Sequence, residues 1–203
     1  MISTGSRYLD SFFKYDGLNI VYGEAATGKT TLAVIAALEQ ARKEKKVVFV
    51  DAENSLSIER IKQLAPDHDK FIDNLIIFSP KNYYQQVKVV KKISELKDIS
   101  LIVIDTIGVH FRMEVKKDPK KLQQLLDWQI RTLRKISKQL PIILTNQVYQ
   151  DLKTGKLHMT AEKILKPWAD SIFFLQKEPR KIFRERPEEK QIPFKILQSG
   201  VGF

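Results

Sequence analysis

Residues 23–30 read Gly23, Glu24, Ala25, Ala26, Thr27, Gly28, Lys29, Thr30, a full match to G-x-x-x-x-G-K-[ST]. An apolar run, 18–22, precedes the loop, and a stretch of good helix formers, 30–43, follows it. Few folds place a glycine turn between a buried strand and a helix in this way, and those that do bind phosphate there. Glycines let the backbone turn its N–H groups inward around an anion. The start of the helix adds the positive end of its dipole. Lys29 is placed to reach the β- and γ-phosphates of ATP, and the Thr30 hydroxyl to ligate Mg²⁺. Gly23, Glu24, Ala25, Ala26, Thr27, Gly28, Lys29, Thr30 and Thr31 are therefore the candidate nucleotide-binding residues.

The rest of the chain alternates strand and helix. Apolar strands are expected at 47–50, 75–78, 101–104 and 141–145, and helices at 55–64, 84–96 and 122–139, with Ser55 as a cap for the first. Strands that are apolar throughout and separated by helices predict an α/β fold of the P-loop type, with a mostly parallel central sheet covered on both faces. After Gln147 the pattern changes. Residues 171–175, 181–184 and 193–197 read as antiparallel strands closing one edge, and 111–121 and 150–166 as the most mobile stretches. No repeat or linker interrupts residues 1–203, so one domain is expected.

Two strands end in acids. Leu101, Ile102, Val103 and Ile104 lead into Asp105, which the sheet would carry to its C-terminal edge as a second Mg²⁺ ligand. Glu53 stands two residues past Asp51, at the end of the 47–50 strand. It either orients the attacking water or serves as a solvated loop acid.

The net charge of +11 points to a polyanionic partner, nucleic acid foremost, or to a lysine-rich solubilising surface. The chain has no cysteine, which excludes disulfides and thiolate chemistry. His68, His110 and His158 lie too far apart to suggest a metal site, and His68 is expected on a solvated turn. No apolar run is long enough to span a bilayer, and the first residues lack a secretory pattern, so the cytoplasm is the expected location.

Taken together, these segments resemble the RecA/RadA recombinase superfamily, in particular the archaeal RadB-like paralogues that consist of the ATPase core alone. The opening residues 2–10, the run Asp51, Ala52, Glu53 followed by Ile58, Glu59, Arg60, and the run Thr145, Asn146, Gln147, Val148 carry the likeness. The resemblance implies that Lys29, Glu53 and Gln147 are the catalytic set, with Gln147 sensing the γ-phosphate. It also implies that Arg60 packs near the adenine, and that the cofactors are ATP and Mg²⁺. Two loops of that family bind DNA. They correspond here to 111–121, with Arg112, Lys116, Lys117, Lys120 and Lys121, and to 148–166, with Lys153, Lys156, Lys163 and Lys166 beside Tyr149 and Trp168.

The implied function is a slowly hydrolysing DNA-repair and recombination accessory ATPase that binds single-stranded DNA and modulates a full RadA-type recombinase. Filament formation is in doubt, because the phosphate loop at residue 23 leaves no room for the family's N-terminal domain and subunit hook. A KaiC-like ATPase switch, or a nucleotide-bound adaptor without DNA binding, is the competing expectation.

Overall fold

The computed structural model describes residue 6, residue 10, residues 17–151 and residues 154–202. Most of the opening segment 2–10 and Lys153 therefore lie outside the described residues.

Strand β1 (Leu18–Gly23) runs into helix α1 (Lys29–Ala41), and β2 (Lys46–Asp51) follows. Next come α2 (Ile58–Leu64), β3 (Leu75–Phe78), α3 (Tyr83–Ile93) and β4 (Ile99–Asp105). Helices α4 (Val109–Glu114) and α5 (Pro119–Ile136) lead to β5 (Ile142–Gln150). The last part holds β6 (Leu157–Met159), the single-turn α6 (Glu162–Leu165), and strands β7 (Ser171–Gln176), β8 (Lys181–Arg186), β9 (Lys190–Pro193), β10 (Lys195–Leu197) and β11 (Gly200–Gly202).

The sheet order is β3-β2-β4-β5-β1-β7-β8-β9. Every pair from β3 to β7 is parallel, and β8 and β9 continue antiparallel. Side chains alternate across the sheet as the strand period of two requires. Val47, Phe49, Leu101 and Val103 face the core built on α1, whereas Val48, Val50, Ile102 and Ile104 face the core under α3 and α5. Each large side chain fully buried in this way contributes about 1.5–3 kcal/mol.

Four expectations need correction. The 171–175 strand is not part of an antiparallel edge only, because β7 pairs parallel with β1 before β8 turns back on it. The 193–197 segment divides: Lys190–Pro193 joins the sheet, whereas Lys195–Leu197 forms a separate hairpin with Gly200–Gly202. Helix α2 is capped by Ser57, whose hydroxyl accepts from Arg60 N–H at 3.2 Å, not by Ser55. The backbone N–H groups of Ser55 and Leu56 are instead taken by the buried Asp51 carboxylate at 3.0 and 2.9 Å, which holds them out of the helix. Finally, His68 is buried in a short 3-10 turn rather than solvated.

The stretch 111–121 is also more regular than its lysines suggest. It covers the last four residues of α4, a short turn and the start of α5, where Asp118 accepts from Lys121 N–H at 3.1 Å and Pro119 occupies the first turn. An aspartate cap followed by proline is a helix start. No helix among the described residues is long and apolar enough to cross a membrane.

Candidate nucleotide site and nucleic-acid interface

The phosphate loop leaves β1 at the C-terminal edge of the parallel sheet and turns into α1. A side chain at Gly23 would put its Cβ 2.4 Å from the Leu175 carbonyl oxygen, so the close approach of β7 admits only glycine. Gly28 caps α1 with φ 98°, in the left-handed region. Between them, the Lys29 ammonium and the Thr27 hydroxyl both donate to the Glu24 carbonyl, at 2.6 and 2.9 Å. Glu24, Ala25 and Ala26 form the exposed rim of the loop.

Lys29 is only 8% exposed. Burial pulls its ammonium below the ordinary lysine range, against the opposing fields of Asp105, Glu53 and Glu24. A poorly solvated ammonium at a helix N-terminus is suited to an anion that arrives from solvent.

Asp105 is fully buried at the end of β4. It accepts from the Thr30 hydroxyl at 2.8 Å and from the Thr145 hydroxyl. Burial raises its pKa above the ordinary carboxylate value, against these two hydroxyl donors. Asp105 therefore stands behind Thr30 rather than in the open cleft. No group of three or more His, Cys, Asp or Glu side chains that could cage a metal exists among the described residues. A hydroxyl with a carboxylate behind it fits Mg²⁺, which keeps waters and takes further oxygens from a nucleotide phosphate.

A cavity of about 430 Å³ opens over the loop and is lined by Lys29, Thr30, Glu53, Thr106, Gln147 and Arg180 among others. Glu53 is exposed at the tip of the loop that Asp51 holds, and the Gln147 amide donates to it at 2.7 Å. Thr31 lies one residue further into α1 and also lines the cavity. Arg60 does not line it. Its guanidinium bridges the Thr31 hydroxyl at 3.3 Å and the Gln198 carbonyl at 3.1 Å, which ties α2 to the β10–β11 turn beside the loop.

Beyond Gln147, β5 continues into an antiparallel pairing with β6. There Tyr149 stacks on His158 with 5.7 Å between ring centroids. This hairpin, with Phe111, Gln123 and Lys163, lines a groove of about 870 Å³. Arg112, Lys116, Lys117, Lys120, Lys121, Lys156 and Lys163 are exposed. Lys166 differs: its ammonium contacts Glu162 at 2.8 Å and Glu185 at 3.2 Å. Burial opposes its charge, but the two carboxylates outweigh that and raise its pKa. Trp168 is half-buried, with the Arg131 guanidinium 5.2 Å from its ring.

The fold agrees with comparisons to known proteins. The family profile described as Rad51 matches residues 1–200. This chain belongs to the Rad51 family. Among its relatives, the DNA repair and recombination protein RadB of Methanococcus maripaludis is 35% identical over 193 residues, covering 89% of this chain and 88% of that one. The protein of the same description from Thermococcus gammatolerans is 32% identical over 221 residues, covering 99% and 98%. A crystal structure of the RadB recombinase superposes with a TM-score of 0.76 at 31% identity, covering 99% of this chain and 98% of that one.

Rad51-family proteins are in general ATPases that use ATP and Mg²⁺. The sequence reading missed Arg180. It sits between β7 and β8 and donates to the Ala26 carbonyl at 3.1 Å, on the rim of the phosphate loop. Its distance of 154 residues from Ala26 leaves no local pattern to find it by. Asp51, part of the Asp51–Ala52–Glu53 run, also holds the loop that carries Glu53.

Proposed function

We propose that this chain is an accessory ATPase of recombinational repair. It binds ATP and Mg²⁺ through Lys29, Thr30 and Asp105, hydrolyses slowly with Glu53 as the water-orienting base, and holds single-stranded DNA on the face carrying Arg112, Tyr149 and Lys163. It acts in the cytoplasm as one ATPase core, spanning residues 1–203, on a full recombinase.

One observation carries this reading: the 2.7 Å hydrogen bond from Gln147 to Glu53 at the mouth of the phosphate cleft. Gln147 sits on β5, and the same strand runs on without interruption to Tyr149, which lines the groove that also holds Lys163. A γ-phosphate that competes for the Gln147 amide would be felt three residues or fewer away, at the nucleic-acid face. The family's repair-protein relatives and the net charge of +11 support the same reading.

The test is a fluorescence-anisotropy titration with labelled single- and double-stranded oligonucleotides, with and without ATP and Mg²⁺, across salt concentrations. Single-strand binding that weakens steeply with salt and tightens with ATP is the expected result. Absence of binding at low salt sinks the DNA-directed reading and leaves a nucleotide switch or adaptor.

A further inference from the structure

None of the lysines of the 111–121 stretch lines the Tyr149 groove. Phe111 lines that groove, whereas Met113 and Lys117, on another face of α4 and the turn after it, line a separate cavity of about 630 Å³. The opposite wall is α3 and the residues before it, which supply Lys81, Tyr84 and Lys88. Tyr84 and Lys88 are one helical turn apart and share a face. From the first turn of α5, Lys121 sets its ammonium 5.6 Å from the Tyr84 ring centroid.

Two features separate this groove from an ordinary lysine-rich surface. First, its lining lysines are unpaired: among the described residues, Lys81, Lys88 and Lys117 have no carboxylate within ion-pair distance. The carboxylate in its lining, Glu114, is turned to the backbone, accepting from Tyr83 N–H at 2.9 Å. His110 is likewise occupied, bonded through Nε2 to the Pro80 carbonyl at 2.9 Å. Second, large apolar groups stand open beside those charges, with Tyr84 45% and Met113 70% exposed. Cations that follow a backbone, interleaved with an open aromatic face, are what a single strand with stacked bases requires.

We propose that this groove between α3 and α4 is a second binding surface for single-stranded nucleic acid. Lys81, Lys88 and Lys117 meet phosphates, and Tyr84 stacks a base. The proposal rests on the reading above that the Tyr149 groove holds a single strand. Helix α4 is the partition between the two grooves, and a helix is only about 10 Å across, so one strand of sufficient length can occupy both. Positive charge without a neutralising partner selects a polyanion, and the adjoining groove makes that polyanion the continuation of the same strand.

The experiment compares a short oligothymidylate, long enough for one groove, with a long one, using anisotropy across salt. The probes are the double variant Lys81→Glu/Lys88→Glu, the single variants Tyr84→Ala and Tyr84→Trp, and Lys163→Glu in the first groove. The double variant should leave the short oligonucleotide and ATP binding unchanged. It should weaken the long oligonucleotide roughly ten-fold or more and flatten its log–log salt slope by about 1.4, the value for two lost phosphate contacts on a single strand. Tyr84→Ala should weaken the long oligonucleotide by about five-fold or more, and Tyr84→Trp should restore it.

If Lys163→Glu weakens both lengths while the double variant changes neither affinity nor slope, this groove is excluded and the first one stands. If the wild-type chain binds neither length, the proposed function falls and the second groove with it. A polyglutamate probe that binds and is lost in the double variant, with oligonucleotide affinity unchanged, overturns the proposal in favour of an acidic protein partner.

Discussion

The Gln147 side-chain amide donates a 2.7 Å hydrogen bond to the Glu53 carboxylate, joining the interior of β5 to the loop after β2 across the phosphate cleft. The two residues are 94 positions apart, and β4 lies between their strands in the sheet. A group that takes the Gln147 amide frees Glu53, and the reverse. Gln147→Ala should therefore retain ATP binding within a few-fold but abolish the difference in single-strand affinity between nucleotide-free and ATP-bound protein. Anisotropy titrations under both conditions check this. An unchanged ATP effect would show that coupling runs elsewhere.

Lys29→Ala should weaken ATP by about 1.5–3 kcal/mol, roughly ten- to a hundred-fold, the size of a lost hydrogen bond to a charged group. The fold should not suffer, because the substitution removes an ammonium that burial already disfavours. Isothermal titration calorimetry and thermal melting measure the two effects separately.

Asp105 makes a pH prediction for the nucleotide-free protein. Its pKa is raised in the folded chain, chiefly by burial, so between the unfolded and the folded value the native state holds the extra proton. Stability from this group is then lost as pH rises through that window and stays lower at neutral pH. Asp105→Asn, whose amide can still meet the Thr30 and Thr145 hydroxyls, should raise the melting temperature at neutral pH and flatten its dependence on pH across that window. The same variant should lose Mg²⁺-dependent nucleotide affinity. A lower melting temperature at neutral pH would contradict the account.

Lys166 should behave as a structural residue. It links Glu162 of α6 to Glu185 of β8, and its ammonium also lies 5.4 Å from the Tyr22 ring. Lys166→Ala should cost about 1 kcal/mol of stability in urea denaturation. It should change single-strand affinity far less than Lys163→Ala, whose side chain is exposed in the groove.

The helix cap offers a direct contrast. Ser57→Ala should destabilise by about 1 kcal/mol, because the Ser57 hydroxyl holds the Arg60 N–H. Ser55→Ala should be nearly neutral, since Asp51 binds the Ser55 backbone and not its hydroxyl. Equal losses in chemical denaturation would refute this assignment of the cap.

Local chemistry was enough to determine several parts of this protein. The order of glycines, lysine and threonine in 23–30 specifies a turn with left-handed backbone at Gly28, whatever the rest of the chain does. The uniform apolarity of β2 and β4 specifies strands buried on both faces, and β3 occupies the four residues read for it. These features depend on neighbours a few positions away, so they can be read in order along the chain.

Only the tertiary structure decided the rest, because the deciding contacts join residues far apart in sequence. Residues 171–176 have the same apolar character whether they pair parallel or antiparallel. They lie parallel to β1, and at the starts of the two strands the Leu18 N–H donates to the Asp170 carboxylate at 2.8 Å. Arg180 reaches the phosphate loop only because β7 and β1 are adjacent. The lysines were equivalent as sequence. Folding turned Lys166 onto two carboxylates and left Lys81, Lys88 and Lys117 facing an open groove. The fate of a charge depends on what the fold brings within a few ångströms of it, and the order of residues alone does not state that distance.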